Sequence, residues 1–127
     1  MNIIGLIPAR GGSKGIPKKN LLKIKNTPLI GLTIQMAKKT KLINRIIVST
    51  DDHEILKTAQ KYGAETPFIR PKDLSTDNAK MIDVLKHAYL FMNEAGEKID
   101  AILLLQPTSP FRKITHLNIR ALLKIRL

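Results

Sequence analysis

Residues 9–19 combine glycines, a hydroxyl group and positive charges in one short stretch. Its glycines and polar residues are Arg10, Gly11, Gly12, Ser13, Lys14, Gly15, Lys18 and Lys19. Glycines let backbone N–H groups approach an anion closely, and lysine and arginine form charge-assisted hydrogen bonds with phosphate. No acidic side chain lies in the stretch to repel phosphate. The pattern predicts a phosphate-binding loop, although it would also suit a solvated basic hairpin with glycines at its turns.

Two familiar phosphate-binding motifs do not match this loop. A P-loop needs two glycines separated by four residues and followed by Lys and then Ser or Thr, whereas the dinucleotide-binding fingerprint needs the spacing Gly-x-Gly-x-x-Gly. Here residues 11–15 read Gly-Gly-Ser-Lys-Gly. If the loop binds phosphate, it therefore does so through a different motif, positioned by the elements on either side.

Short apolar runs alternate with amphipathic segments along the chain. The apolar runs predict strands at residues 2–8, 45–49 and 101–105, with a short irregular strand at 21–26 and a weak candidate at 66–69 that a proline interrupts. Helical spacing and capping signals predict helices after residues 27–28, between 51 and 63, from the cap at 76–77 to about 93, and from 114 to about 125. Asp51 and Asp52 are predicted to cap the second of these helices, and Asp77 is predicted to cap the third.

Alternating strands and helices are typical of an α/β fold with three layers and a mostly parallel, doubly wound sheet. We therefore expect the strands at 2–8, 45–49 and 101–105 to be parallel neighbours. Ligands bind such sheets outside the carboxyl ends of the strands. The loops that leave these ends cover residues 9–19, 49–52, 70–77 and 106–112. Arg10 and Gln106 should consequently lie at the same edge of the sheet, beside one crevice.

The composition limits the class of protein. The net charge is +12, and the first fifty residues contain no acidic side chain, a balance that could suit a nucleic acid. The few aromatic residues are not interleaved with the basic ones, however, so a nucleotide explains the basic loop better than a nucleic acid does. The chain has no cysteine and no apolar stretch long enough for a signal peptide or a membrane span. We therefore expect a cytoplasmic protein that contacts no membrane and no nucleic acid.

Four segments together resemble one known family. The run Ala-Arg-Gly-Gly-Ser-Lys-Gly-Ile-Pro-Lys-Lys-Asn at residues 9–20 is similar to the nucleotide signature of the acylneuraminate cytidylyltransferase (CMP-sialic acid synthetase) family. Ser-Thr-Asp-Asp at 49–52, the Arg-Pro segment at 70–77 and Leu-Gln-Pro-Thr-Ser-Pro-Phe-Arg at 105–112 resemble its later motifs in the same order. The resemblance implies a Rossmann-like nucleotidyltransferase sheet, of which residues 1–127 would be the nucleotide-binding N-terminal portion.

The resemblance also implies a reaction and a set of site residues. In this family the anomeric hydroxyl of a nine-carbon keto sugar acid attacks the α-phosphate of CTP and releases pyrophosphate, with Mg²⁺ present. The residues implied to bind the nucleotide are Ala9, Arg10, Gly11, Ser13, Lys14, Lys19, Asn20 and Arg70. Arg10 and Lys19 would also be catalytic, and Gln106 would contact the sugar acid. No metal ligand is identified, and no direct catalytic role is expected for His53, His87 or His116.

Family members continue for a comparable length beyond residue 127, so the chain is expected to be truncated at its C-terminus. The continuation supplies acidic metal ligands, further sugar contacts and the segment that forms a homodimer. We therefore expect this chain alone to bind CTP weakly, to turn it over poorly and to self-associate through uncovered apolar surface. A CTP-binding fragment without turnover and a basic nucleic-acid-binding protein remain as alternatives.

Overall fold

The computed structural model describes residues 1–12 and 18–107, together with the backbone of residues 119–124. The strands are β1 (Ile3–Pro8), β2 (Lys23–Ile24), β3 (Thr27–Pro28), β4 (Arg45–Ser49), β5 (Ala101–Leu105) and β6 (Ile119–Lys124). The α-helices are α1 (Leu29–Lys38), α2 (His53–Lys61) and α3 (Met81–Glu94), and single 3₁₀ turns cover Lys19–Leu21 and Lys72–Leu74. Among the described residues, no helix has both the length and the apolar character needed to cross a membrane.

The central sheet has the strand order β4-β1-β5-β6. Strand β1 pairs in parallel with both β4 and β5, so that Leu6 lies opposite Ile47 on one side and Leu104 on the other. The prediction that these three strands are parallel neighbours is therefore confirmed. Their carboxyl ends, and the loops that follow them, lie at one edge of the sheet.

Helices cover both faces of this sheet. Ile3 and Ile7 of β1 pack in a buried cluster with residues of α1 and α2, whereas Ile4 and Leu6 pack in a second cluster with residues of α3. This division follows from the two-residue repeat of a strand, which sends alternate side chains to opposite faces. The predicted three-layer, doubly wound α/β fold is thus confirmed, and its core lies on both sides of β1.

The predicted helix at residues 114–125 is wrong over the part that the structure describes, since Ile119–Lys124 forms strand β6. This strand pairs antiparallel with β5, placing Leu103 opposite Leu122. An unpaired side of β5 would leave backbone N–H and C=O groups without partners, and pairing with β6 satisfies them. Tertiary pairing has here outweighed a helical spacing of apolar residues, since propensity is a weak guide in short segments. Residues 114–118 and 125 lie outside the described residues.

Two smaller predictions also differ from the structure. The weak strand at 66–69 is absent, and a single parallel bridge joins Ile47 to Glu65 instead, because Pro67 has no N–H for a ladder. Thr27 and Pro28 pair with β2 in a hairpin, and Pro28, not Thr27, occupies the cap position of α1, so the helix begins one residue later than predicted. The two residues at its turn, Lys25 and Asn26, both have positive φ angles, as the tightest hairpin turns require.

Candidate functional site

A cleft of about 310 Å³ opens at the edge where the parallel strands end. Its walls are formed by Pro8, Arg10, Lys19, Asn20, Arg70, Leu74, Thr76, Asp77, Ala79, Met81, Val84, Gln106 and Pro107. Five of the predicted site residues meet here although they come from distant parts of the chain: Arg10, Lys19, Asn20, Arg70 and Gln106. The prediction that Arg10 and Gln106 share one edge of the sheet is confirmed. The cleft combines three cationic side chains with two amides.

The start of the glycine-rich loop is held by the segment that follows β4. The Gly11 N–H donates a hydrogen bond of 2.8 Å to Asp51 Oδ1, and the Gly11 carbonyl accepts one of 2.9 Å from the Lys18 N–H. A Cβ atom at Gly11 would lie 2.9 Å from Asp52 Cβ, which is too close for any residue other than glycine. Asp51 therefore anchors the loop. The prediction that Asp51 caps α2 is wrong. Its carboxylate accepts the Gly11 N–H because the loop passes directly over it.

Asp52 does cap α2, as the sequence predicts. Its Oδ1 accepts hydrogen bonds from the N–H groups of Glu54 and Ile55 at 2.9 and 3.0 Å. Lys18 approaches the same helix start, with Nζ 3.0 Å from Glu54 Oε2 and 3.7 Å from Asp52 Oδ2. The hydrogen bond with Glu54 and the nearby Asp52 charge raise the pKa of Lys18. This exposed lysine thus ties the end of the loop to α2 and does not line the cleft.

Arg10 forms an ion pair across the mouth of the cleft. Its Nη2 lies 2.5 Å from Asp77 Oδ1, and both side chains remain partly exposed. The prediction that Asp77 caps the third helix is wrong, because α3 begins at Met81 and Lys80 occupies the cap position. Attraction to Arg10 holds the aspartate in the loop, four residues before the helix starts. In the sequence, Asp77 is marked only as the end of the polar loop at residues 70–77, and a local pattern cannot identify a partner as distant in the chain as Arg10.

Arg70 is almost fully buried, with only 4% of its surface exposed. Its Nε donates to Ser49 Oγ at 3.0 Å, its Nη2 to the Ser49 carbonyl at 2.8 Å, and its Nη1 to the Leu74 carbonyl at 3.3 Å. Burial lowers the pKa of Arg70 to about 10, with Asp51 favouring and Arg10 disfavouring its charge. The guanidinium is therefore still charged at neutral pH. Three of its five N–H groups are used by these bonds, and the other two have no partner among the residues that the structure describes, so they can serve a ligand.

Asn20 presents an unsatisfied acceptor at the cleft. The residue is 4% exposed, and its Nδ2 donates a long hydrogen bond of 3.4 Å to the Arg10 carbonyl. Its buried Oδ1 has no hydrogen-bond partner in the described part of the chain. A buried acceptor without a donor costs about 1–3 kcal/mol, so a ligand that supplies an N–H or O–H there would regain that energy. This geometry suits the predicted ligand-binding role of Asn20.

The remaining predicted residues have different positions. Ala9 is buried and does not line the cleft, and its N–H donates to the Ser49 carbonyl at 2.9 Å. Ser13 and Lys14 lie outside the described residues, so their predicted roles stay predictions. Sequence reasoning missed Thr76, Met81 and Val84, which complete the wall on the α3 side. In the sequence, Met81 and Val84 show only the helical spacing of core residues, and nothing there indicates that they line a cleft.

His87 is a half-buried histidine on α3 that does not line the cleft. Its ring meets the ring of Phe68 edge-on at 4.8 Å, and its buried Nδ1 has no hydrogen-bond partner in the ranges that the structure describes. Burial, and secondarily the Arg70 charge, lower the pKa of His87. The expectation that this histidine has no direct catalytic role stays a prediction.

The lowered pKa of His87 predicts a pH dependence of stability. As the pH falls through about 6.5, the unfolded chain protonates this histidine more fully than the folded chain does, so the unfolded state binds more protons and stability falls as the pH falls. We expect His87→Gln to lose less of its free energy of unfolding between pH 7.5 and pH 5.5 than the wild type. Urea unfolding at the two pH values measures the difference, and equal losses in both proteins would contradict the prediction.

Comparison with known proteins agrees with this geometry. The family model described as "Cytidylyltransferase" matches residues 4–123. The CMP-N,N'-diacetyllegionaminic acid synthase of Legionella pneumophila is 42% identical over 113 residues, which are 89% of this chain and 49% of the relative. The N-acylneuraminate cytidylyltransferase of Escherichia coli is 40% identical over 91% of this chain and 26% of its own length. The chain thus spans about half the length, or less, of the curated relatives it matches.

A solved structure supports the same assignment. A CMP:2-keto-3-deoxy-manno-octonic acid synthetase, complexed with CTP, superposes on 91% of this chain and 44% of its own chain with a TM-score of 0.73 and 25% identity. The family model covers the glycine-rich loop, strands β4 and β5, and all but one residue of β1 and of β6. The sequence motifs, the fold and the cleft lead to the same conclusion: this chain belongs to the cytidylyltransferase family.

Proposed function

We propose that residues 1–127 are the nucleotide-binding portion of a CTP-dependent cytidylyltransferase that activates a nine-carbon sugar acid of the sialic acid type. The observation that carries the proposal is the convergence of Arg10, Lys19 and Arg70 on one cleft at the carboxyl ends of the parallel strands. Three cations in a cleft of this size suit a triphosphate. The names of the two relatives described above refer to related sugars, and their sequence identities to this chain differ by only two percentage points. We therefore propose the class of sugar and not the individual compound.

The described residues suit a reaction that needs positioning more than a protein nucleophile. Transfer at phosphorus requires that charge on the phosphate oxygens be neutralised and that the attacking hydroxyl be aligned with the leaving group. Arg10 and Lys19 would neutralise the phosphates. Two N–H groups of Arg70 and the Oδ1 atom of Asn20, which have no partner in the described ranges, would orient the nucleotide. Gln106, at the end of β5, would contact the sugar acid. The hydroxyl oxygen would bond to the α-phosphorus while the bond from that phosphorus to the bridging oxygen breaks, so that pyrophosphate leaves and the hydroxyl proton passes to water.

Mg²⁺ is proposed as the cofactor, and the described residues that line the cleft offer it one carboxylate. Mg²⁺ bound to a nucleotide usually takes one or two carboxylates together with phosphate oxygens and water. Asp77 lines the cleft and is partly exposed, so it fits such a role, whereas Asp51 and Asp52 bond to backbone N–H groups. The described residues contain no group of three or more acidic, histidine or cysteine side chains that could hold a metal unaided. When bound, Mg²⁺ would supply positive charge to the phosphates.

Nucleotide titrations test the proposed function. Isothermal titration calorimetry with CTP, UTP, ATP and GTP, each with and without Mg²⁺, should show saturable binding that prefers CTP. Pyrophosphate release with a panel of nine-carbon sugar acids then separates a transferase from a fragment that binds CTP without turnover. Binding to DNA or RNA with a steep salt dependence and no preference among nucleotides would overturn the proposal in favour of a nucleic-acid-binding protein.

Asp77→Asn should strengthen CTP binding when no metal is present. The aspartate competes with phosphate for Arg10, and the substitution removes its charge while keeping its size. A partly exposed ion pair contributes up to about 1 kcal/mol, so the affinity should rise up to about fivefold. Asp73→Asn is the matched control, because Asp73 carries the same charge in the neighbouring turn but does not line the cleft. Weaker metal-free binding by Asp77→Asn alone would contradict the competition between Asp77 and phosphate.

A further inference from the structure

The carboxyl end of β4 lies behind the cleft and contributes no residue to its walls. Ser49, the last residue of this strand, is completely buried. It nevertheless bonds to two segments beside the cleft, at Ala9 in the glycine-rich loop and at Arg70. Its carbonyl accepts from the Ala9 N–H at 2.9 Å and from Arg70 Nη2 at 2.8 Å, and its Oγ accepts from Arg70 Nε at 3.0 Å. One residue therefore connects the phosphate loop with the buried arginine.

The two bonds from Arg70 to Ser49 determine the direction of the guanidinium plane. Nε and Nη2 are the two donors on one edge of the planar group, and both find acceptors on the same residue. A long arginine side chain would otherwise lose much conformational freedom when a ligand fixed it. Because Ser49 holds this edge of the guanidinium, the N–H groups that face the cleft are fixed in position before a ligand binds. The Leu74 carbonyl takes a third, longer bond at 3.3 Å.

We propose that Ser49 is a positioning residue for nucleotide binding: its buried hydroxyl holds the Arg70 guanidinium in the orientation that meets the ligand, without contacting the ligand itself. The effect of Ser49 on nucleotide binding rests on the proposed function, but its effect on the orientation of Arg70 can be measured without any nucleotide. Alanine at position 49 would leave the Arg70 Nε–H without its acceptor in a buried site, whereas the backbone carbonyl would remain. The hydroxyl is thus the part of Ser49 that a substitution can test.

The first experiment observes Arg70 directly by NMR in the protein without nucleotide. Hydrogen exchange of the Arg70 Nε–H should be slow in the wild type and at least about tenfold faster in Ser49→Ala, because its charge-assisted bond is lost. Ser49→Cys fills the same space with a poor acceptor and should behave like Ser49→Ala. Thr33→Val is the control, since it removes a buried hydroxyl that bonds to the Leu29 carbonyl on α1. Unchanged Arg70 exchange in both Ser49 variants would overturn the inference.

The second experiment is a double-mutant cycle on CTP affinity, combining Ser49→Ala with Arg70→Lys. If Ser49 acts through Arg70, Ser49→Ala weakens binding about tenfold in the wild type and has almost no further effect in Arg70→Lys. Additive losses would show that Ser49 acts by another route and would overturn the inference. Failure of the wild type to bind CTP would instead count against the proposed function, and the exchange measurement would still decide whether Ser49 positions Arg70.

Discussion

Arg10→Ala is expected to weaken CTP binding about tenfold to a hundredfold. Arg10 lines the cleft and is the first cation of the glycine-rich loop. A hydrogen bond to a charged group is worth about 1.5–3 kcal/mol, which corresponds to this range of affinity. Calorimetric titration of both proteins with CTP measures the effect directly.

Arg45→Ala is the matched control for this measurement. Arg45 is also a partly exposed arginine in an ion pair, but it begins β4 at the opposite edge of the sheet and pairs with Glu65 and Glu97. Its loss should leave CTP affinity unchanged. Equal affinity of the wild type and Arg10→Ala would refute the role of Arg10 in binding phosphate. Equal losses in both variants would show that net charge, and not the cleft, determines the affinity.

Leu6→Ala is expected to lower the free energy of unfolding by about 2–5 kcal/mol, the usual range for a large aliphatic side chain deleted from a core. Leu6 lies at the centre of β1, has no exposed surface and packs in the cluster between the sheet and α3. Its removal leaves a cavity on the face of the sheet that supports one wall of the cleft. Urea denaturation at neutral pH measures the change.

Leu22→Ala provides the comparison for the core substitution. Leu22 is about half exposed, so the same chemical change there should alter the free energy of unfolding by no more than about 0.5 kcal/mol. The dependence of the unfolding free energy on urea should be similar in all three proteins if each unfolds in one step. A loss at Leu6 no larger than that at Leu22 would contradict the central position of β1 in the core.

Local patterns determined most of the architecture. Strands predicted at 45–49 and 101–105 are found at those residues, and the strand predicted at 2–8 begins one residue later. Continuous apolar runs are reliable here because strands buried on both faces have no polar alternation to obscure them. The order of strands and helices then placed Arg10, Arg70 and Gln106 at one edge, because parallel strands end on the same side of a sheet.

Contacts between distant residues were decided only by the tertiary structure. Asp51 and Asp77 each follow a local capping pattern, but Asp51 bonds to Gly11, 40 residues away, and Asp77 pairs with Arg10. A capping pattern in the sequence considers only backbone N–H groups a few residues away. The fold can bring a donor from a distant segment closer to the carboxylate, and the carboxylate then bonds to that donor.

The same reasoning applies to β6 and to Ser49. Residues 119–124 have the apolar spacing of a helix but form a strand, because backbone groups on one side of β5 needed hydrogen-bond partners. Ser49 has the type and position of an ordinary strand end in the sequence. Its hydroxyl acquires a role only because the chain returns 21 residues later and buries Arg70 against it, where a cation must find acceptors. The sequence alone thus determined the elements, their order and the edge where the cations meet, and the fold decided which side chains those cations contact.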